Sequence, residues 1–540
     1  MLQVSKSWQN LIFDGQMWSD LNLRAFPKLP SSILTRLSST AGTFIKSIDV
    51  AGHTSLLPST LATITKDLCS SISTDGVLLH TQLTTIDFQG CAALTTHSLQ
   101  DLIIRSPSLQ NVYLKGLTAV TNATCDTLGK HCPNLLILDI GRCLNVDGQG
   151  IRSLIQQGLD RDQVLPLKEL RVSGIKCVDD DTLALLGKGA PFLEVLDLSY
   201  VRDLHNSALE AFVACPEEEE QPARFETVLL TARQAGRNPG DPGRYRRRVT
   251  CLRHLALSSC SLLTDTACSN LAHTVPRLEC LELAGIGTEL RDDGLIRLLD
   301  TTPFIRKLDL EDASEITDDV LSVLTPFETP DERKNANEPP VPGHALEHLV
   351  VSYAISLTDD ALLSLVRKCN NLTTLEADNT RISGTVLKEF VSLSRKRKAV
   401  NPTIVVIDCR GISETLVKDL SSSTRPRKGW ISYEARKLGF VDGTDKDDLK
   451  VGKNECDEES VVLKSFYSWQ TVDAVRAARE KRRKTKRANN ASNESISDDE
   501  LDSGGRSSSR WWSPGGRRSS GTASPSVLDT NNERDQCTIM

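Results

Sequence analysis

The chain has 540 residues with 64 basic and 71 acidic side chains, and its net charge of −7 excludes a nucleic-acid binder by bulk charge. Aromatic residues make up 4% against 39% hydrophobic residues, which suits a core of Leu, Ile and Val layers better than a globular enzyme core. The 15 cysteines contain no Cys-x-x-Cys pair, no run of 18 apolar residues occurs, and Met1 to Asn10 lacks an apolar leader core. A zinc ribbon, a membrane span and secretion are therefore not expected, and the thiols are read as free in a reducing compartment.

The first element is an aromatic-rich helical patch, Val4-Ser5-Lys6-Ser7-Trp8-Gln9-Asn10-Leu11, followed by Trp18-Ser19-Asp20-Leu21. Two tryptophans ten residues apart with Leu11 between them resemble the second half of an F-box. The resemblance implies docking on the adaptor subunit of an SCF-type cullin–RING ubiquitin ligase through Val4, Trp8, Leu11 and Trp18. The family's opening helix would precede Val4, so the box is incomplete as written, and residues 1–30 are expected to form at least a helical cap.

Beyond the cap, the spacing Leu-x-x-Leu-x-Leu recurs about every 26 residues, as in Leu83, Ile86, Phe88, then Leu109, Val112, Leu114, then Leu135, Leu138, Ile140. Twelve segments fit it, beginning near Ile45, Leu83, Leu109, Leu135, Leu167, Leu193, Leu252, Leu278, Ile305, Leu346, Leu372 and Ile404. A fixed period of this size means one unit stacked on copies of itself. Alternation within each segment predicts a short strand. Polar pairs such as Thr264-Asp265, Thr317-Asp318 and Thr358-Asp359 then predict helix N-caps. Triplets such as Leu295, Leu298, Leu299 and Leu387, Phe390, Val391 predict helices with one apolar stripe. The stretch Cys132-Pro133-Asn134-Leu135 through Cys143 resembles the leucine-rich-repeat family in its cysteine-containing subtype. That resemblance spans 40–412 and implies an α/β solenoid, a horseshoe with parallel strands on the concave face and helices outside. The consensus cysteines Cys91, Cys143 and Cys260 are read as buried packing residues.

Two insertions, near 216–250 and 326–343, are expected to be surface loops, the first enclosing a decayed repeat at Phe225, Val228 and Leu230. His53 is expected on the surface.

The residue between the last two apolar positions of each strand should face the concave side. Those residues are Asp49, Asp87, Tyr113, Asp139, Arg171, Asp197, Ala256, Glu282, Asp309, Val350, Glu376 and Asp408, eight of twelve acidic. This stripe is the candidate target-binding site, with Asp87, Tyr113, Asp139, Arg171, Asp197, Glu282, Asp309 and Glu376 as its contacts, and it favours a protein substrate with a basic segment.

After Ile412 a linker (413–460) is expected, then a basic amphipathic helix (461–489) carrying Lys481, Arg482, Arg483, Lys484, Lys486 and Arg487, and a disordered tail (490–540). The final Cys537-Thr538-Ile539-Met540 matches the Cys-a-a-X box, with Cys537 as the farnesyl acceptor. No P-loop, dinucleotide fingerprint or nucleophile elbow occurs, so no catalytic residue, cofactor or metal is expected. The expected partners are an SCF adaptor and cullin scaffold, a protein substrate and, through the lipid, a membrane, with no nucleic acid. Such a receptor would work in the cytoplasm or nucleus. The alternative is a non-ligase leucine-rich-repeat scaffold or inhibitor, tethered by farnesyl or nuclear.

Overall fold

The computed structural model describes residues 15–69, 80–215, 226–238, 240–326, 341–425 and 458–465. Val4, Trp8, Leu11, the basic cluster Lys481–Arg487 and Cys537 lie outside the described residues.

Strands of three residues alternate with helices. In chain order they are β1 (Asp20–Asn22), β2 (Ser47–Asp49), β3 (Thr85–Asp87), β4 (Asn111–Tyr113), β5 (Ile137–Asp139), β6 (Glu169–Arg171) and β7 (Val195–Asp197). A pair, β8 (Thr227–Thr231) and β9 (Arg244–Arg248), intervenes. The series resumes with β10 (His254–Ala256), β11 (Cys280–Glu282), β12 (Lys307–Asp309), β13 (His348–Val350), β14 (Thr374–Glu376) and β15 (Thr403–Val406), and it ends with β16 (Thr424–Arg425) and β17 (Val461–Ser465). Fifteen of these form one sheet in the order β1 to β7, β10 to β15, β17, β16, and its described pairings are all parallel.

The cause is the period. The middle residue of each strand is apolar and buried, as in Ile86, Val112, Leu138, Leu196, Leu281 and Leu308. Behind them the helices turn their stripes inward: Leu295, Leu298 and Leu299 from Asp292–Leu299, and Leu387, Phe390 and Val391 from Gly384–Lys396. Each coil buries its face only against the next one, which produces a single core running through the stack. Strands stack about 4.8 Å apart whereas helices need about 10 Å, so the strands take the inner, concave side. The chain is an α/β leucine-rich-repeat solenoid.

The N-cap pairs do more than expected. Thr317 and Thr358 cap their own helices, and the aspartate after each cap bonds to the next repeat. Asp318 accepts the Thr358 N–H at 2.8 Å and its hydroxyl at 2.6 Å, and Asp359 accepts the Ser383 N–H at 2.8 Å. The Thr-Asp dipeptide thus sets both the helix start and the coil-to-coil stagger.

The consensus cysteines are buried, and each donates to a strand-end carbonyl of the preceding coil. Cys91 Sγ lies 3.2 Å from Val50 O, Cys143 Sγ 3.3 Å from Leu114 O and Cys260 Sγ 3.2 Å from Leu198 O. Burial pushes the Cys91 and Cys260 thiols up to about 12, which leaves them protonated and inert.

Five expectations are corrected. The sheet begins inside the N-terminal cap, because Leu21 and Leu23 already carry the alternation and Leu21 pairs with Ile48, while Trp18 packs on the core. His53 is buried, with Nε2 3.1 Å from Leu23 O, because β1 covers the turn that holds it. The first insertion is in part an ordered antiparallel hairpin, β8 with β9, and not a decayed repeat. Strand β10 already occupies the β7 edge, so Val228 and Leu230 cannot join the sheet. Within the hairpin, Arg247 is buried and donates to Asn270 O at 2.6 Å. The segment 413–460 is not all linker: it holds the helix Glu414–Asp419 and β16. Finally, residues 461–465 are strand, not helix. Val461, Val462 and Leu463 are buried where β17 slots between β15 and β16, which satisfies an otherwise open edge.

Candidate functional site

A three-residue strand turns its first and third residues to the same face. The concave surface therefore carries two rows per strand. The row from third positions contains the predicted contacts Asp87, Tyr113, Asp139, Arg171, Asp197, Glu282, Asp309 and Glu376 in continuous register. It differs from expectation at the last strand, where Val405 pairs with Glu376 and Asp408 lies three residues beyond, in the turn. The row from first positions, which includes Glu169, His254, Cys280, Lys307 and His348, was missed. The period of two was the signal that could have found it.

The aspartates have a local role. Asp49, Asp87, Asp139, Asp197 and Asp309 each accept, through Oδ1, the N–H two residues on, at 3.1, 3.0, 3.1, 2.9 and 3.1 Å. This side-chain turn directs the chain out of the strand. Burial raises the carboxyl groups of Asp87, Asp139 and Asp309, against the backbone bond that holds each charged. Aspartate recurs here because the turn uses it, and Asp87 and Asp139 are buried while Asp49, Asp197 and Asp309 are partly exposed.

The two halves of the face differ in charge. From β2 to β7, five acids (Asp49, Asp87, Asp139, Glu169, Asp197) meet one base, Arg171, which is bonded to Glu169 at 2.5 Å. Tyr113 stands among them half-exposed. From β10 to β14 two of the three acids are paired: Lys307 Nζ is 2.6 Å from Glu282 Oε1, and His348 Nε2 is 3.2 Å from Glu376 Oε1, while Asp309 accepts only the Glu311 N–H among the described residues. His254 Nε2 lies 3.5 Å from Glu282 Oε1, an ion-pair distance without a hydrogen bond. Free negative potential is thus concentrated between β2 and β7.

This cluster makes stability depend on pH. The Cys280 sulfur first, and the Glu282 carboxylate next, raise His254 from 6.5 to about 9. His254 first, then Lys307, lowers Glu282 from 4.5 to about 2. The raised histidine stabilises the fold fully below 6.5 and loses that as pH climbs through about 9, while the lowered glutamate loses its share as pH falls from 4.5 towards 2. His254→Gln is expected to cost about 1–2 kcal/mol at neutral pH, after allowance for solvent screening, and almost nothing above the raised value. Urea midpoints of the two proteins at pH about 6 and about 10 check this: an equal deficit at both removes the ion pair as its cause.

Two further features line the rims. Three residues past each strand the backbone turns through positive φ, at Gly90, Gly116 and Gly174 but also at Arg142 (59°), Tyr200 (64°) and Tyr353 (66°). Glycine would relieve each of these turns, so large side chains there hold strain in an exposed loop. Arg142 reaches past Gly174 and sits over the Tyr200 ring at 5.7 Å. At the opposite rim, Lys168, Glu194, Arg253, Glu279, Arg306 and Glu347 alternate in sign with pair distances from 2.6 to 4.0 Å. They flank an open groove of about 640 Å³ with exposed Phe192 and Phe304.

Fold and face together define a repeat solenoid with a polar strand face. No protein-family model matches the chain, and no curated protein is similar to it. Among solved structures, it is similar to the crystal structure of the Rad7 and Elc1 complex in yeast at 16% identity, over 76% of this chain and 92% of that one, with a TM-score of 0.47. It is also similar to the TLR13–ssRNA13 complex at 14% identity, over 64% and 37%, with a TM-score of 0.31.

Proposed function

We propose that the chain is the substrate-recognition subunit of an SCF-type cullin–RING ubiquitin ligase, which holds a target on the strand face for ubiquitin-dependent proteolysis. The observation that supports target binding most is the unequal charge of that face: acids in excess from β2 to β7, and two of three acids paired from β10 to β14. A basic target segment gains most beside Asp87, Tyr113, Asp139 and Asp197. The F-box-like Val4, Trp8, Leu11 and Trp18 are the residues proposed to engage the adaptor, and Trp18 packs on the core that supports β1. On this reading the chain has no reaction centre of its own. Its contribution is the effective concentration of target lysines beside the charged ubiquitin carrier.

Pull-down by purified adaptor subunit tests the ligase reading. The full chain is expected to be retained, and Trp8→Ala with Leu11→Ala is expected to lower retention at least about tenfold, as for paired apolar anchors. Failure of the full chain to bind, in this form and in one extended at the N-terminus, overturns ligase membership.

A further inference from the structure

We propose that His254, Cys280 and Glu282 form a zinc site on the concave face, with one coordination position left for a ligand from a bound partner. It goes beyond the receptor reading and does not depend on it.

The register builds the site. His254 on β10 stands directly opposite Cys280 on β11, and Glu282 follows two residues on, facing the same way. Opposite Glu282 stands Ala256, whose methyl leaves room for the carboxylate to lean back towards His254. The donor atoms of all three side chains lie within 4.8 Å of one another, with His254 Nε2 3.5 Å and Cys280 Sγ 3.8 Å from Glu282 Oε1. Donors bound to one tetrahedral zinc at about 2.0–2.3 Å are spaced about 3.3–3.8 Å apart, so the cluster needs little closure. His254 Nε2 is buried yet makes no hydrogen bond among the described residues, and it points at the other two donors.

The donor chemistry selects the metal. One imidazole, one thiolate and one carboxylate suit zinc, and calcium and magnesium take oxygen ligands instead. Three protein ligands with a fourth place open is the arrangement of a reactive or bridging site, not a closed structural one. Here the open place faces the target surface, where a histidine, cysteine or carboxylate of a partner can complete it. Lys307 Nζ lies 2.6 Å from the same Glu282 Oε1 that faces His254 and Cys280, so its ammonium must shift aside, or onto the second carboxylate oxygen, when a metal enters. Binding replaces the proton on His254 Nε2 and the proton on Cys280 Sγ by one metal ion. About two protons are therefore released per zinc, and affinity falls as pH drops.

The test uses the full chain, freed of metal and titrated with Co²⁺ as an optical probe of zinc sites. A thiolate-to-cobalt absorption band is expected, with the visible bands of tetrahedral cobalt, saturating near about one equivalent and abolished by added zinc. Cys280→Ser is expected to remove the thiolate band, and His254→Gln to weaken cobalt binding at least about tenfold. Both side chains are partly exposed on the face, so the variants should keep the parent's melting behaviour near the upper end of the pH range. Absence of a thiolate band in the parent overturns the site. So does a band that survives Cys280→Ser, or one that appears only in Lys307→Met, because the ammonium then holds the cation's place. None of these readings needs the adaptor or a target.

Discussion

Replacing Asp87, Asp139 and Asp197 together by asparagine is expected to weaken capture of a lysine- and arginine-rich peptide by about 30-fold, with little change in stability. The choice of asparagine separates two roles of one side chain. Its amide oxygen can still accept the N–H of Gln89, Gly141 and Ser199, so the turn after each strand is kept. What is lost is charge. Asp197 is partly exposed and Asp87 and Asp139 are buried at the floor of the face; three charge contacts of about 0.7 kcal/mol each sum to about 2 kcal/mol, which is a factor of about 30 in affinity. The effect should shrink as salt is raised through the physiological range. Replacing the same three by lysine is expected to abolish capture and also to lower the melting temperature, because lysine has no acceptor for the turn. Fluorescence anisotropy with the peptide, alongside thermal melts, reads both. Undiminished affinity in the asparagine protein would falsify the acidic face as the recognition surface.

Gly294→Ala is expected to destabilise the solenoid by about 3 kcal/mol or more, although alanine is the better helix former by about 1 kcal/mol. Gly294 lies in the helix Asp292–Leu299, and a Cβ there would sit 1.9 Å from Asp265 O and 2.9 Å from Ser269 Oγ. Asp265 opens the helix of the preceding coil, so the two helices would have to part across the whole packed layer. Gly116→Ala is the control. Its Cβ meets nothing within 4 Å, and only its φ of +75° opposes the change, at about 1 kcal/mol. Urea unfolding of both variants gives the comparison. Equal losses would show that the coils slide apart easily and that close helix approach contributes nothing.

The fold was legible in the sequence because it repeats. Eleven of the twelve predicted segments, those from Ile45 to Leu372, lie in strands whose register agrees with the predicted spacing. The twelfth slipped by three residues, because Ile407 and Cys409 mimic the alternation of a strand while the backbone is already turning at Asp408, with φ at 56°. The stretch from Val461 reads as the start of a helix, and residues 461–465 are a strand, since the open edge of β15 offered them hydrogen bonds. Hairpin β8–β9 was missed for the converse reason: its apolar residues alternate correctly, but no sheet edge was left for them. The candidate site was half legible. Third positions could be read off directly, whereas the meaning of their charge could not, because that depends on which side chain stands one strand away.

What the sequence by itself determined is the unit: strand, turn, capped helix, and which residues of each are buried. Those follow from local spacing, where the physics is that of neighbours a few residues apart. The tertiary structure alone decided which charges meet. Residues about 26 positions apart in the chain, such as His254 and Cys280 or Glu282 and Lys307, become neighbours only when the coils stack, and only stacking places them within a few ångströms. Stacking converts a row of like-looking acids into a half with acids in excess and a half where most acids are paired and an imidazole, a thiol and a carboxylate come together.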